Sequence, residues 1–162
     1  MSTRSRLVLL LVVAALVVSL DQWTKILALE NLSPIYTRTV IEGFFSLTLV
    51  MNSGVAFGVF NSIDSSVKAL VLLGFSGVTV GLVVAYYLLD KALTRTAAVA
   101  LAMIVGGACG NMIDRWRFAK VVDFLDFYWH GYHWPAFNVA DIAITVGVML
   151  LLLTTLFGSQ RS

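Results

Sequence analysis

The stretch Pro135-Ala136-Phe137-Asn138-Val139-Ala140-Asp141 runs directly into an apolar segment, where from Ile142 to Phe157 only Thr145, Gly147, Thr154 and Thr155 interrupt the hydrocarbon. A run of this length is what a lipid bilayer selects: a hydrocarbon core of ~30 Å takes ~20 apolar residues at 1.5 Å each. Asp141 sits just inside that run. An ionised carboxylate at membrane depth costs about 2.5–3.5 kcal/mol on insertion scales, so it persists where it faces a protein interior or a wet cavity. Asp141 is therefore a candidate functional residue, and the rest of the chain is read for groups that meet it.

The composition agrees with a membrane solvent. The 162 residues are 59% apolar and 12% charged, against about 45–50% and 25% in soluble domains. The length fits a single integral membrane domain, residues 1–162. The formal charge of +2, with no basic run, gives no footprint for nucleic acid. Cys109 is the only cysteine, and among Gly106, Gly107, Ala108 and Gly110 it reads as a small packing residue.

Four segments are long and apolar enough to span: about Leu7–Leu29, Val67–Leu89, Ala97–Ile113 and Asn138–Phe157. Arg4 and Arg6 ahead of the first resemble the start of a signal peptide, but Val18-Ser19-Leu20 offers no small-x-small cleavage site, so this segment is read as a helix. Residues Phe44–Phe60 are also apolar, yet rich in Phe, Val, Thr and Gly and interrupted by Asn52. They read as short strands or a re-entrant piece. The expected fold is a membrane all-α protein with a small β element.

Four spans place both termini on one side. The Lys/Arg tally is balanced, with Arg4, Arg6, Lys91, Arg95 and Arg161 against Arg38, Lys68, Arg115, Arg117 and Lys120. The first helix favours termini inside. Depth is more informative. Asp21 lies fourteen residues after Leu7 and Asn111 fourteen after Ala97, so both reach ~21 Å along parallel paths. Asp141 is a few residues into a helix running back, and the connecting loop with Asp123 is on that same side. The polar groups thus gather in one layer opposite the termini. They also share faces: Asn111, Asp114 and Arg115 on helix 3, Asn138, Asp141 and Thr145 on helix 4, and the i, i+4 pair Asp21 and Lys25 on helix 1. Gly106 and Gly110 allow a close helix approach.

Which chemistry these groups support is narrowed by elimination. His130 and His133 lie among Tyr128, Trp129, Tyr132 and Trp134, as an aromatic interfacial belt would have them. H-E-x-x-H is absent, no metal-ligand set is evident, and Ser53 in Asn52-Ser53-Gly54 reads as a turn serine. Carboxylates remain. Asp123 stands in the apolar frame Val121-Val122-Asp123-Phe124-Leu125. Two aspartates sharing a pocket cannot both ionise comfortably, so one keeps a proton while the other acts as base. Asp114 competes for the second position, although its neighbour Arg115 favours a structural ion pair there. On the residues alone a hydrolytic Asp123/Asp141 dyad, a proton or ion pathway through Asp21, Asp114 and Asp141, and a buried structural network stay open. Against the pathway, helix 2 carries only Lys68, Ser76 and Thr79 as polar groups, and no repeated half is visible. A non-catalytic assembly factor is a further alternative.

Five stretches, in order, carry a resemblance: Asp21-Gln22-Trp23-Thr24-Lys25; Asn52-Ser53-Gly54-Val55-Ala56-Phe57-Gly58; Gly106-Gly107-Ala108-Cys109-Gly110-Asn111-Met112-Ile113-Asp114-Arg115; Val121-Val122-Asp123-Phe124; and Phe137-Asn138-Val139-Ala140-Asp141. They closely resemble the motif blocks of the lipoprotein signal peptidases, bacterial signal peptidase II, over essentially the whole chain. The resemblance implies an intramembrane aspartyl endopeptidase of the bacterial cytoplasmic membrane, with both termini cytoplasmic and the active site near the extracytoplasmic face. It implies cleavage of prolipoproteins just before the cysteine that carries a diacylglyceryl group, with Asp123 and Asp141 catalytic. Supporting polar residues would fall on Asn52, Asn111, Arg115 and Asn138, with Asp21 and Lys25 in the first block; on the residues themselves, Asp21, Lys25 and Asp114 read as structural polar groups. It also implies a short extracytoplasmic β-sheet formed from residues 40–60. No cofactor or metal is needed, and the partners are the precursor and membrane lipids, with the enzyme a monomer. One position departs: members often carry Gly two residues before Val-Val-Asp-Phe, where this chain has Ala119, and a Gly there would matter if its φ were positive.

Overall fold

The computed structural model describes residues 2–54 and 64–158. Its elements run α1 (Thr3–Asn31), β1 (Arg38–Ile41), β2 (Phe45–Asn52), α2 (Ser65–Leu89), α3 (Arg95–Phe118), β3 (Val121–Trp129), β4 (Tyr132–His133) and α4 (Val139–Gly158). Each of the four helices contains a window apolar and long enough to cross a membrane. The expected class is borne out, with boundaries that differ in one useful respect. α3 continues five residues past the apolar segment, so Asp114 and Arg115 are fully helical and their spacing on one stripe is real.

Local signals explain where helices begin. Ser2 accepts from Ser5 N at 3.2 Å, Asp64 from Ser66 N at 2.7 Å, and Thr94 from Ala97 N at 3.2 Å. Each satisfies an amide that the first turn leaves without a partner.

α3 is the hub. In its most apolar window 56% of residues are buried, against 11%, 6% and 17% for α1, α2 and α4, so the other three pack around it and turn their remaining faces outward. Beside Leu101, Val105, Asn111 and Asp114, its buried side carries seven small residues, among them Ala98, Ala102, Gly106 and Gly110. Small residues are what close packing in lipid uses, since burying apolar surface there yields no gain over lipid. A Cβ on Gly107 would run into the Ala140 carbonyl of α4, and one on Gly110 would lie 2.5 Å from Asp21 Oδ2 of α1. The outward faces carry Leu11, Leu16, Leu70, Phe75, Leu82 and Leu156, each at least 65% exposed. Such a surface is stable facing acyl chains and unstable facing water. At the end bearing Arg6, the Tyr87 hydroxyl donates to the Arg6 carbonyl at 2.7 Å and the Arg6 guanidinium donates to the Tyr87 carbonyl. Together these contacts pin α1 to α2.

The strands form one antiparallel sheet of order β1-β2-β3-β4. This corrects the reading of the helix 3–helix 4 connection as a loop: it is a nine-residue strand, a tight turn and a short return strand. His130 (φ 47°) and Gly131 (φ 82°) make the turn between the paired Trp129 and Tyr132. Two consecutive positive-φ residues match the right-handed twist of the strands they join. The segment read as strands or a re-entrant piece is a strand over Phe45–Asn52. Residues 55–60 of that segment lie outside the described residues, as do residues 55–58 of the second motif block and Arg161. Phe127 stacks between Phe45 and Phe137 at centroid distances of 4.7 and 5.8 Å, tying the sheet to the start of α4.

Ala119 has φ 56°, the left-handed conformation that stops α3 and turns the chain into β3. An L-residue pays about 1–2 kcal/mol there, which glycine avoids at some entropic cost. Ala119→Gly should therefore raise stability by up to about 1 kcal/mol, measured as a higher thermal midpoint in detergent. An unchanged or lower midpoint would show that Ala119 bears no strain.

Candidate active site

Asp123, Asp141, Asn52, Asn111, Asn138, Asp21, Lys25 and Asp114 belong to one connected polar network, with Arg115 at its edge. α1, α3 and α4 each contribute their polar stripe at the same end of the bundle, and the sheet closes that end. Asp123 comes from β3, where it pairs with Val50 of β2. Asn52, diagonal to it on the same face, donates to Asp123 Oδ2 at 2.8 Å. The Asn52 amide oxygen is occupied by Gly54 N at 2.8 Å, so its NH2 is held toward Asp123.

Asn138 joins the two aspartates. Its Nδ2 donates to Asp123 Oδ1 at 2.7 Å, and its Oδ1 accepts from Asp141 N at 3.0 Å. Asp141 Oδ2 in return accepts from Asn138 N at 3.2 Å. This is a reciprocal capping box, so the start of α4 and the placement of Asp141 are the same structural event. Asn111 Nδ2 donates to Asp141 Oδ1 at 2.8 Å. Asp123 is 2% exposed and Asp141 half-buried. Beside Asp141 a cavity of about 340 Å³ is lined by Trp134, Phe137, Ile142, Thr145 and Val146. It is apolar except at Asp141 and Thr145, so an apolar chain segment lying in it would pass directly by the carboxylate.

Beneath the pair lies a triad of charges. Lys25 Nζ is 2.9 Å from Asp21 Oδ2 and 2.8 Å from Asp114 Oδ2. The expected Asp21–Lys25 pair forms and is buried. The Asp114–Arg115 pair does not: Asp114 turns to Lys25, to Gln22 Nε2 at 2.9 Å and to Val122 N at 3.0 Å. Neighbours in a helical sequence point about 100° apart, and α1 offers Asp114 a nearer cation. Gln22 was missed as a site residue. Its Nε2 lies within 3.2 Å of Asp21, Gly110 O and Asp114, and its position next to Asp21 on the packed helix was the available signal.

Among the described residues Arg115 is loosely held. Nη1 is 3.5 Å from the Asn111 carbonyl, and among the described residues the buried Nε has no partner. A Cβ at Gly54 would sit 3.7 Å from Nη2, so the guanidinium lies close to Gly54, two residues past Asn52. A fork whose Nε is without a partner among the described residues, beside two carboxylates, suits a carbonyl or other oxygen of a bound chain. Arg115→Lys, which cannot reproduce a bidentate contact, should lower kcat/KM about tenfold or more. Near-wild-type cleavage by that variant would show that charge alone is needed.

The aromatic stretch holds a separate cluster that the sequence reading passed over. His133 Nδ1 is 2.9 Å from Asp126 Oδ1, and Ser46 Oγ donates to Asp126 Oδ2 at 2.9 Å. Serine and histidine both contact the aspartate rather than each other, so this is a strut between strands and not a nucleophile arrangement.

A model of the family described as signal peptidase (SPase) II matches residues 13–157. The chain belongs to the signal peptidase II family. Among its relatives, a lipoprotein signal peptidase of Desulforapulum autotrophicum is 43% identical over 157 residues, covering 97% of this chain and 96% of that one. Another, from Solibacter usitatus, is 44% identical and covers 89% and 88%. A solved bacterial membrane enzyme, determined by the in meso method at 1.9 Å resolution, superposes with a TM-score of 0.80 at 30% identity, covering 91% of this chain and 92% of that one. This signal peptidase II family member is thus a protease and a multi-pass membrane protein whose helices and sheet follow a known architecture.

Proposed function

We propose that the protein removes the signal peptide from prolipoproteins, cutting just before the diacylglyceryl-modified cysteine, with Asp123 and Asp141 activating water between them. The observation that carries this reading is Asn138, one buried side chain bonded to both aspartates, of which Asp141 lines an apolar cavity. The signal helix would pack sideways against α4 in that cavity, and Arg115, Asn52 and Asn111 would hold backbone and lipid oxygens. In this reading the enzyme is a monomer, a single domain of the bacterial cytoplasmic membrane, with its termini cytoplasmic and its site near the outer face. Its partners are the precursor and the surrounding lipid, and no metal or cofactor takes part.

The protonation states follow from the surroundings. Burial pushes the Asp123 carboxyl up to about 6, the Asn52 hydrogen bond opposes it, and the charge of Asp141 adds to the rise. Below about pH 6 Asp123 therefore holds its proton and serves as the neutral member, hydrogen-bonding the scissile carbonyl. Asp141 is the base that takes a proton from water, and an aspartic acid protonates the leaving amine as the tetrahedral intermediate collapses. Ionising Asp123 removes the donor, so kcat/KM should fall as pH rises through about 6. A profile rising through the same range would make Asp123 the base and reverse the roles, the pair titrating as a unit.

The experiment is cleavage by purified protein in detergent, comparing a diacylglyceryl-modified precursor with the same precursor unmodified. Mass spectrometry should find a new amino terminus at the lipidated cysteine, and cleavage of the lipidated form alone. Equal cleavage of both would remove the lipid requirement, and cleavage of neither would overturn the assignment.

A further inference from the structure

We propose that Lys25 is a positioning residue for the aspartate pair, acting through the Asn111 amide and the backbones of Ala140 and Val122. This rests on the dyad reading above and adds a residue that the chemistry does not itself use. Lys25 is 2% exposed, and its three ammonium donors meet three acceptors: Asp21 Oδ2 at 2.9 Å, Asp114 Oδ2 at 2.8 Å and Asn111 Oδ1 at 3.0 Å. No donor is left for a substrate.

The third contact sets an orientation. An ammonium has only donors, so Asn111 must turn its oxygen toward Lys25 and its NH2 toward Asp141 Oδ1, 2.8 Å away. The same Asn111 oxygen accepts from Asn138 Nδ2 at 3.1 Å, which turns the Asn138 NH2 toward Asp123 and its oxygen toward Asp141 N. One cation thus reinforces which end of each amide the aspartates meet. With a neutral residue at position 25, the Asn111 oxygen loses its charged donor and keeps only the neutral one from Asn138 Nδ2, which loosens the hold of Asn111 on Asp141.

The two acids that hold Lys25 carry the effect into the backbone. Asp21 Oδ1 accepts from Ala140 N at 2.9 Å, and Asp114 Oδ2 accepts from Val122 N at 3.0 Å. Ala140 immediately precedes Asp141, and Val122 immediately precedes Asp123. The strand and the helix that deliver the aspartates are therefore fastened, one residue upstream of each, to the same triad. Asp21 on α1 and Asp114 on α3 hold Lys25 directly, Asp123 on β3 feels its charge, and Asp141 on α4 and Arg115 on α3 are linked to it through Asn111.

The test is the double variant Lys25→Met/Asp114→Asn, which keeps the net charge of the triad at −1, compared with Asp114→Asn alone. With folding checked by thermal unfolding in detergent, the double variant should show KM for the lipidated precursor within about threefold of its reference. Its kcat should be roughly a hundredfold lower, the size expected of a misplaced catalytic group, and its kcat–pH limb should be displaced. A double variant matching Asp114→Asn in kcat and pH profile overturns the proposal. So does failure of both this variant and Lys25→Met to accumulate folded, which would make Lys25 a stability residue alone. Asp141→Asn in the same assay separates the two ideas: cleavage by it sinks the dyad, whereas its inactivity beside a fully active double variant sinks only the role of Lys25.

Discussion

Asp123→Asn and Asp141→Asn, each alone, are expected to abolish cleavage of a lipidated precursor while leaving a folded protein. Asparagine keeps the shape and the hydrogen-bonding reach but cannot exchange a proton, so either change stops the step that generates the nucleophile. Folding should survive because a neutral amide is easier to bury than a carboxylate. At Asp123 a gain in stability is expected near neutral pH. The folded chain binds that proton more tightly than the unfolded one, so the acid's contribution is greatest below the ordinary carboxylate value and is lost as pH rises through about 6. Asparagine has no such loss. Two groups acting as one unit are non-additive, so the double variant should be no worse than either single. Asp114→Asn should retain measurable activity, since both Asp114 oxygens are already engaged by Lys25, Gln22 and Val122 N and the residue is 1% exposed. Strong cleavage by either single variant of the pair would overturn the assignment. An inactive Asp114→Asn beside an active Asp123→Asn would move the second role to Asp114.

The second large effect is on folding. Asp21 is fully buried and holds Lys25 at 2.9 Å with one oxygen and Ala140 N at 2.9 Å with the other. Asp21→Ala strands part of a buried charge and orphans a helix amide, a loss of about 3–5 kcal/mol for the pair. The variant should accumulate poorly and unfold at lower temperature, with activity per folded molecule falling less than yield. Asp21→Asn keeps an acceptor for Ala140 and should lose less. Normal yield and thermal midpoint in Asp21→Ala would count against the structural role and favour a direct one.

Most of this site was legible because helical periodicity is exact enough to place faces. Spacings of three and four put Asn111 with Asp114 and Arg115, and Asn138 with Asp141 and Thr145, and counting residues along parallel and antiparallel spans put them at one depth. What stayed hidden depends on contacts between elements. Nothing in Asp114-Arg115 says that Asp114 prefers Lys25 of α1, because that choice is made by the close approach of α1 that Gly106 and Gly110 permit. The strand carrying Asp123 was hidden because both of its faces are buried over Val121–Phe124, which erases the alternation by which a half-exposed strand is recognised. The Ala119 reading worked in the other direction: a position noted for its departure from the family proved to have the backbone angle that a glycine would relieve.

The capping of α4 has a consequence for how the protein is made. Asp141 is placed by Asn138 at the first turn of α4; its carboxylate also accepts from Asn111 of α3, and the neighbouring Ala140 amide is held by Asp21 of α1, both earlier in the chain. A ribosome releasing this sequence delivers Lys25, Asn111 and Asp123 to the bilayer before the segment that completes them exists. If Asp123 and Asp141 are the catalytic pair, nascent chains are proteolytically silent until α4 emerges and inserts. Chains stalled before it would lie in the membrane as inert helices, unable to cut their neighbours.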